Sequence, residues 1–123
     1  MLETAKILAV FQRVPDIKKF APGDRIFEDG EFGDVMYGIL EGEVELFIDG
    51  KVVETIHKGD VFGEGALVHR EHTRASTAIA KTDCQLAYID EQHFLFAVQE
   101  TPMFALNVIR SYSDRLRKLK RSL

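Results

Sequence analysis

The sequence has little of the material that staples or anchors a chain. Cys84 is its single cysteine, which excludes an internal disulfide and any zinc site built on cysteines. No stretch approaches the run of about eighteen apolar residues that a membrane-spanning helix needs. The opening Met1-Leu2-Glu3-Thr4 lacks the basic patch and apolar core of a secretory signal. Membrane-spanning and secreted readings are therefore set aside, and a cytoplasmic address is expected. Internal repeats and low-complexity linkers are also missing, so residues 1–123 are expected to form a single domain.

What is present suits a globular fold. Hydrophobic residues make up 46% and charged residues 29%, enough to bury one core without a metal or a disulfide. The net charge of −4 is uneven: residues 1–109 carry −9 and residues 110–123 carry +5. The acidic body is a poor surface for a phosphate backbone. The basic run Arg115-Leu116-Arg117-Lys118-Leu119-Lys120-Arg121 reads as a solvated face favoured by the helix dipole, with nucleic acid or an acidic partner as the alternative. No helix-turn-helix follows before Leu123, so no DNA-binding domain is expected and nucleic acid is not an expected partner.

Thr4 to Val14 predicts a short helix with Thr4 as cap and an apolar face of Ile7, Leu8, Val10, Phe11 and Val14, stopped by Pro15-Asp16. From about Ile17 to Asp90 the texture is that of short strands: Ile17–Phe20, Arg25–Phe27, Val35–Leu40, Val44–Ile48, Lys51–Ile56, Val61–Phe62, Ser76–Ala80 and Gln85–Ile89. Turn signals separate them, and Asp49-Gly50 predicts a type I′ hairpin. Strands so short and closely spaced predict a small antiparallel barrel or sandwich. Beyond it Asp90 predicts an N-cap for a helix over Glu91–Gln99, and Thr101-Pro102 predicts a second start with Thr101 as cap and Pro102 at the first position. In that last helix Ala105, Ile109, Tyr112, Leu116, Leu119 and Leu123 recur at coiled-coil spacing. This seam either packs on the β-structure or pairs with a second copy.

The chemistry concentrates in Gly59-Asp60-Val61-Phe62-Gly63-Glu64-Gly65-Ala66-Leu67 and Thr73-Arg74-Ala75-Ser76-Thr77. A strand end runs into Gly63, which permits close approach of a ligand, and Glu64 to Leu67 predicts one helical turn. Free amides at such a turn attract an anion. A buried Arg74 would complete a phosphate site with a planar, permanently charged donor. Glu64 fits such a pocket when the ligand also carries a hydroxyl, so the pair describes a ribose phosphate. The plainer alternative is a surface salt bridge between Glu64 and Arg74.

Gly23 to Phe27, Asp29-Gly30 through Met36-Tyr37, Leu40-Glu41-Gly42-Glu43-Val44, Gly59 to Glu64 and Thr73-Arg74-Ala75 together resemble the cyclic-nucleotide-binding domain family. The resemblance implies a mainly β fold, an antiparallel β-roll of about eight strands with flanking N- and C-terminal helices, and non-enzymatic binding of a cyclic purine nucleotide as a regulatory module. By position, Glu64 resembles the carboxylate that receives the ribose 2′-hydroxyl and Arg74 the arginine that pairs with the cyclic phosphate. Gly63, Gly65 and Ala66 occupy the phosphate-cassette turn. Ala75 stands where members favouring cyclic GMP often carry Thr, so cyclic AMP is the expected ligand ahead of cyclic GMP. The resemblance also implies homodimerisation through the C-terminal helix and a ligand-driven shift of that helix. Two residues depart from the pattern: Gly65 replaces a large apolar anchor, and Gly38 replaces a bulky residue of the third strand, which predicts a gap or bulge there. A β-roll without ligand, serving as an interaction or assembly module, is the alternative.

The remaining candidates carry less. Of His57, His69, His72 and His93, only His69 and His72 are close in sequence, and they read as solvated loop residues; no metal site is expected. Cys84 reads as a buried small hydrophobe. No catalytic set emerges, and an enzyme is not expected.

Overall fold

The computed structural model describes residues 16–123, and the helix expected over 4–14 lies outside them. The strands follow the turn chemistry. In the hairpin joining β4 (Val44–Ile48) to β5 (Lys51–Ile56), Asp49 and Gly50 have φ of 50° and 76°, the paired positive values a type I′ turn requires. Ile48 pairs with Lys51 directly across it. The other strands are β1 (Ile17–Phe20), β2 (Arg25–Phe27), β3 (Val35–Glu41), β6 (Val61–Phe62), β7 (Thr77–Ala80) and β8 (Cys84–Asp90). They form two four-stranded antiparallel sheets, ordered β1-β8-β3-β6 and β2-β7-β4-β5.

Strand alternation divides the core in two. Tyr37 and Ile39 of β3, Leu86 of β8, and Val44 and Leu46 of β4 point into the roll, where they meet Phe27, Ile56 and Phe62. The opposite face of the first sheet presents Met36, Ala87 and Ile89 to a second cluster. The inner strand β3 is therefore buried on both sides, which is why Val35-Met36-Tyr37-Gly38-Ile39-Leu40 reads as an unbroken apolar run. Gly38 leaves no break in the ladder: it pairs with Val61 on one side and Ala87 on the other. The irregularity falls further along β3, between Ile39 and Glu41.

The second cluster is closed by helices. The four-residue turn α1 (Gly65–Val68) follows β6, α2 (Glu91–Glu100) follows β8, and α3 (Met103–Arg121) follows α2. Asp90 caps α2 as expected, its carboxylate accepting the His93 amide at 2.8 Å. The start of α3 differs from expectation. Thr101 closes α2 by donating its amide to Ala97, and Pro102 takes the cap position of α3 with helical dihedrals (φ −54°, ψ −31°). The face of α3 turned to the roll also overlaps the expected seam only in part, through Tyr112, which packs against the second cluster. Phe104, Asn107, Val108 and Ser111 are buried, while Ile109 and Leu116 of the seam are exposed. Phe104 and Val108 reach the sheet because 104, 108 and 111 share a helical face, and each such buried side chain contributes about 1.5–3 kcal/mol.

Candidate phosphate pocket

The site begins where β6 ends. Gly63 has φ of 80°, and a Cβ there would lie 2.9 Å from Arg74 Nη1 and 3.4 Å from the Phe27 ring. Only glycine gives both the backbone turn and the space. Glu64 then takes helical dihedrals and caps α1 without using its side chain. Among the described residues the amides of Glu64 and Gly65 find no backbone acceptor, whereas the Ala66 amide closes on Gly63 at 3.3 Å. At Gly65 a Cβ would meet only His69 at 3.4 Å and the Thr73 carbonyl at 4.0 Å. The turn therefore forms without the missing apolar anchor, held by the buried Ala66.

Arg74 comes from the segment before β7 and is only 6% exposed, which overturns the surface-salt-bridge alternative. Its Nη1 donates to the Gly63 carbonyl at 3.0 Å. Its guanidinium lies 4.2 Å from the centre of the Phe27 ring and 5.8 Å from that of Tyr37. Phe27, Tyr37 and Phe62 form an aromatic floor with centroids 5.3–6.1 Å apart. On the other side Gly33 admits the guanidinium: a Cβ there would fall 2.2 Å from Nε. That Nε is buried with no hydrogen-bond partner. Burial pushes the Arg74 pKa down, against the neighbouring Tyr37, Glu31, Asp34 and Glu64. A buried cation with an unused donor is an unfinished arrangement that an anion would complete.

All six expected residues, Gly63, Glu64, Gly65, Ala66, Arg74 and Ala75, border one cavity of about 510 Å3. Its opposite wall comes from the C-terminal helix, through residues that sequence reasoning does not single out for this site. Tyr112, Arg115, Leu116 and Leu119 of α3 line it, together with Glu54 of β5. Arg115 makes two bonds to Glu54, Nε to Oε1 at 2.7 Å and Nη2 to Oε2 at 3.1 Å, and also donates to the Val61 carbonyl. Burial opposes its charge, but the bond to Glu54 and the nearby Tyr112 outweigh it and raise the pKa. The basic run is thus not wholly solvated, for Arg115 belongs to the docked face. The Tyr112 ring lies under the Arg115 guanidinium at 4.5 Å. Its hydroxyl is buried without a hydrogen-bond partner, and burial and then Glu64 push its pKa far up. The sequence held one signal for Arg115, its place four residues after Ser111 on the face begun by Phe104.

Cys84 is buried, its Sγ donates to the carbonyls of Glu43 and Thr82, and burial raises its pKa. His69 is exposed. His72 is not a solvated loop residue: its ring bonds the Ala66 carbonyl. Among the described residues no group of His, Cys, Asp or Glu is arranged to hold a metal, and no helix is long and apolar enough to cross a membrane.

Comparison with known proteins places the fold and the family. A cGMP-dependent protein kinase of Plasmodium berghei is 37% identical over 87 residues, covering 71% of this chain and 10% of the kinase. A cAMP-dependent protein kinase regulatory subunit of Eremothecium gossypii is 39% identical over 77 residues, covering 63% of this chain and 17% of that subunit. The chain thus spans a small part of these relatives. Among solved structures, one from work on a cyclic-GMP-dependent pathway regulating bacterial phytopathogenesis has a TM-score of 0.77 at 28% identity, covering 95% of this chain and 96% of the other. The catabolite activator protein of Thermus thermophilus shares the fold, with a TM-score of 0.76 at 23% identity and coverage of 98% and 58%. The family profile described as cyclic nucleotide-binding domain matches residues 17–101, and with the β-roll and its cassette in place, this chain belongs to that family.

Proposed function

We propose that this domain binds a cyclic purine nucleotide reversibly and without chemistry, cyclic AMP ahead of cyclic GMP, in the cavity between the α1 turn and α3. The observation that carries the reading is Arg74: a guanidinium buried on an aromatic floor, with its buried Nε–H unused and no carboxylate bonded to it among the described residues. A cyclic phosphate supplies the missing counter-charge. The amides of Glu64 and Gly65 add donors, and the Glu64 carboxylate accepts a ribose hydroxyl. Ala75 borders the cavity and offers no hydroxyl to a guanine, which favours adenine.

The α3 wall couples binding to output. A ligand shifts α3 only through unequal affinity for its positions, and Tyr112 and Arg115 are the residues through which that inequality arises. The exposed Leu106, Ile109 and Leu116 on α3 suit a homodimer through this helix, with further protein partners reading its position. The same exposed face favours the second reading, an assembly module that has lost its ligand.

A thermal-shift series with cyclic AMP, cyclic GMP and linear AMP separates the two. Ligand at a hundred times its Kd stabilises by about 2.7 kcal/mol. The proposal expects both cyclic nucleotides to raise the midpoint, cyclic AMP at lower concentration, and linear AMP to leave it unmoved. No shift with either cyclic nucleotide refutes it.

A further inference from the structure

His72 lies between the α1 turn and Arg74 and touches both sides of the pocket's frame. Its Nδ1 is 2.6 Å from the Ala66 carbonyl oxygen, which fixes that nitrogen as the protonated donor. The partner is significant. In a helix as short as α1 the last carbonyls have no amide one turn ahead to satisfy them, and Ala66 accepts no backbone amide among the described residues. The imidazole fills that vacancy from six residues downstream.

The backbone of His72 serves the other side. Its φ is 52°, a left-handed conformation that few residues with side chains adopt. The resulting turn lets its carbonyl accept the Gly33 amide at 2.7 Å. Gly33 is the residue against which Arg74 Nε packs. Around it the Arg74 amide donates to Glu31 at 2.8 Å, Phe32 bridges to Thr73, and the Phe32 and His72 rings lie 6.0 Å apart. One residue thus ties the cassette turn, the β2–β3 loop and the approach to Arg74.

We propose that His72 is a positioning residue of the phosphate pocket: its Nδ1–H holds the Ala66 carbonyl, and so the cassette amides, at a fixed distance from Arg74. This rests on the cyclic-nucleotide reading above. Donors that are already in place need no ordering when the anion arrives, so the clamp raises affinity without touching the ligand.

Three variants separate the ring's hydrogen bond from the backbone's special conformation. In His72→Asn the amide nitrogen can sit where Nδ1 sits, and Asn tolerates positive φ. His72→Gly keeps the conformation and loses the donor. His72→Ala loses both. Calorimetric titration with cyclic AMP, well below each variant's melting midpoint, is expected to show His72→Asn within about threefold of wild type. His72→Gly is expected to bind about tenfold more weakly, the scale of one lost hydrogen bond, and His72→Ala more weakly still.

Amide exchange of α1 in the nucleotide-free protein is expected to quicken in His72→Gly and not in His72→Asn. A His72→Gly variant that binds as wild type does, or a His72→Asn variant as weak as His72→Gly, overturns the proposal. Wild type that takes up no nucleotide refutes the binding reading instead. The exchange arm then decides the clamp alone: equal exchange in Gly and Asn variants overturns it.

Discussion

The Arg115–Glu54 pair is the clearest place to perturb the α3 wall. The two side chains are 13% and 17% exposed, bonded twice, and joined by the Arg115 contact to the Val61 carbonyl at the edge of the cassette. Arg115→Met keeps the apolar stem but leaves a carboxylate and a carbonyl without their donor. Removing one partner of a fully buried pair costs about 3–5 kcal/mol. The partial exposure here lowers that to about 2–4 kcal/mol, a large share of the roughly 5–15 kcal/mol that holds a domain folded. Glu54→Leu is expected to cost a similar amount by stranding the guanidinium. The double variant removes both charges, so it is expected to be more stable than the sum of the singles predicts, with a coupling energy of about 2 kcal/mol. Urea denaturation of the four proteins gives the cycle, and amide exchange along α3 shows whether the helix loosens before the roll does. Single variants within about 0.5 kcal/mol of wild type, or strict additivity, would refute the idea that this pair fastens α3 to the roll.

Gly33→Ala places a methyl 2.2–2.6 Å from the Arg74 guanidinium, which must move aside. It is expected to leave the protein folded in circular dichroism while weakening cyclic nucleotide binding at least tenfold in titration. Asp90→Ala removes the cap of α2 and is expected to cost about 1 kcal/mol, read as a midpoint lowered by about 3–5 °C. The same cap carries a pH dependence. The bond from the His93 amide holds the Asp90 carboxyl below its ordinary 3.8. Its stabilisation is therefore fully present above that ordinary value and lost as pH falls through the lower folded value. Denaturation midpoints of wild type and Asp90→Ala should accordingly converge in acid and stay apart at neutral pH; a constant gap would contradict the assignment.

The strands were legible because their signals are local. Asp49-Gly50 announces its hairpin through two positive φ values, and the eight runs between turns match the observed strands to within a residue or two. Glu64 stands out because a carboxylate is unexpected in a phosphate turn, and Arg74 because it follows ten residues on as the donor that would complete the site; the six expected site residues converge on one cavity. What escaped was tertiary. Gly33 looks like any loop glycine until Arg74 is seen packed on it, 41 residues later in the chain. Arg115 lies in a run of basic residues that the helix dipole already explains, and only the register of α3, set by Phe104 and Val108, turns it inward to Glu54. His72 was hidden for the same reason: its acceptor exists only because α1 is too short to satisfy its own carbonyls.

The central claim is that the Arg74 guanidinium supplies the charge that holds a cyclic phosphate. Calorimetric titration of wild type and Arg74→Ala with cyclic AMP tests it directly, with circular dichroism confirming that the variant is folded. Loss of a buried, charge-assisted contact predicts affinity lower by about 2–5 kcal/mol, on the order of thirtyfold to several thousandfold. Equal heats and equal affinity in the two proteins would contradict it.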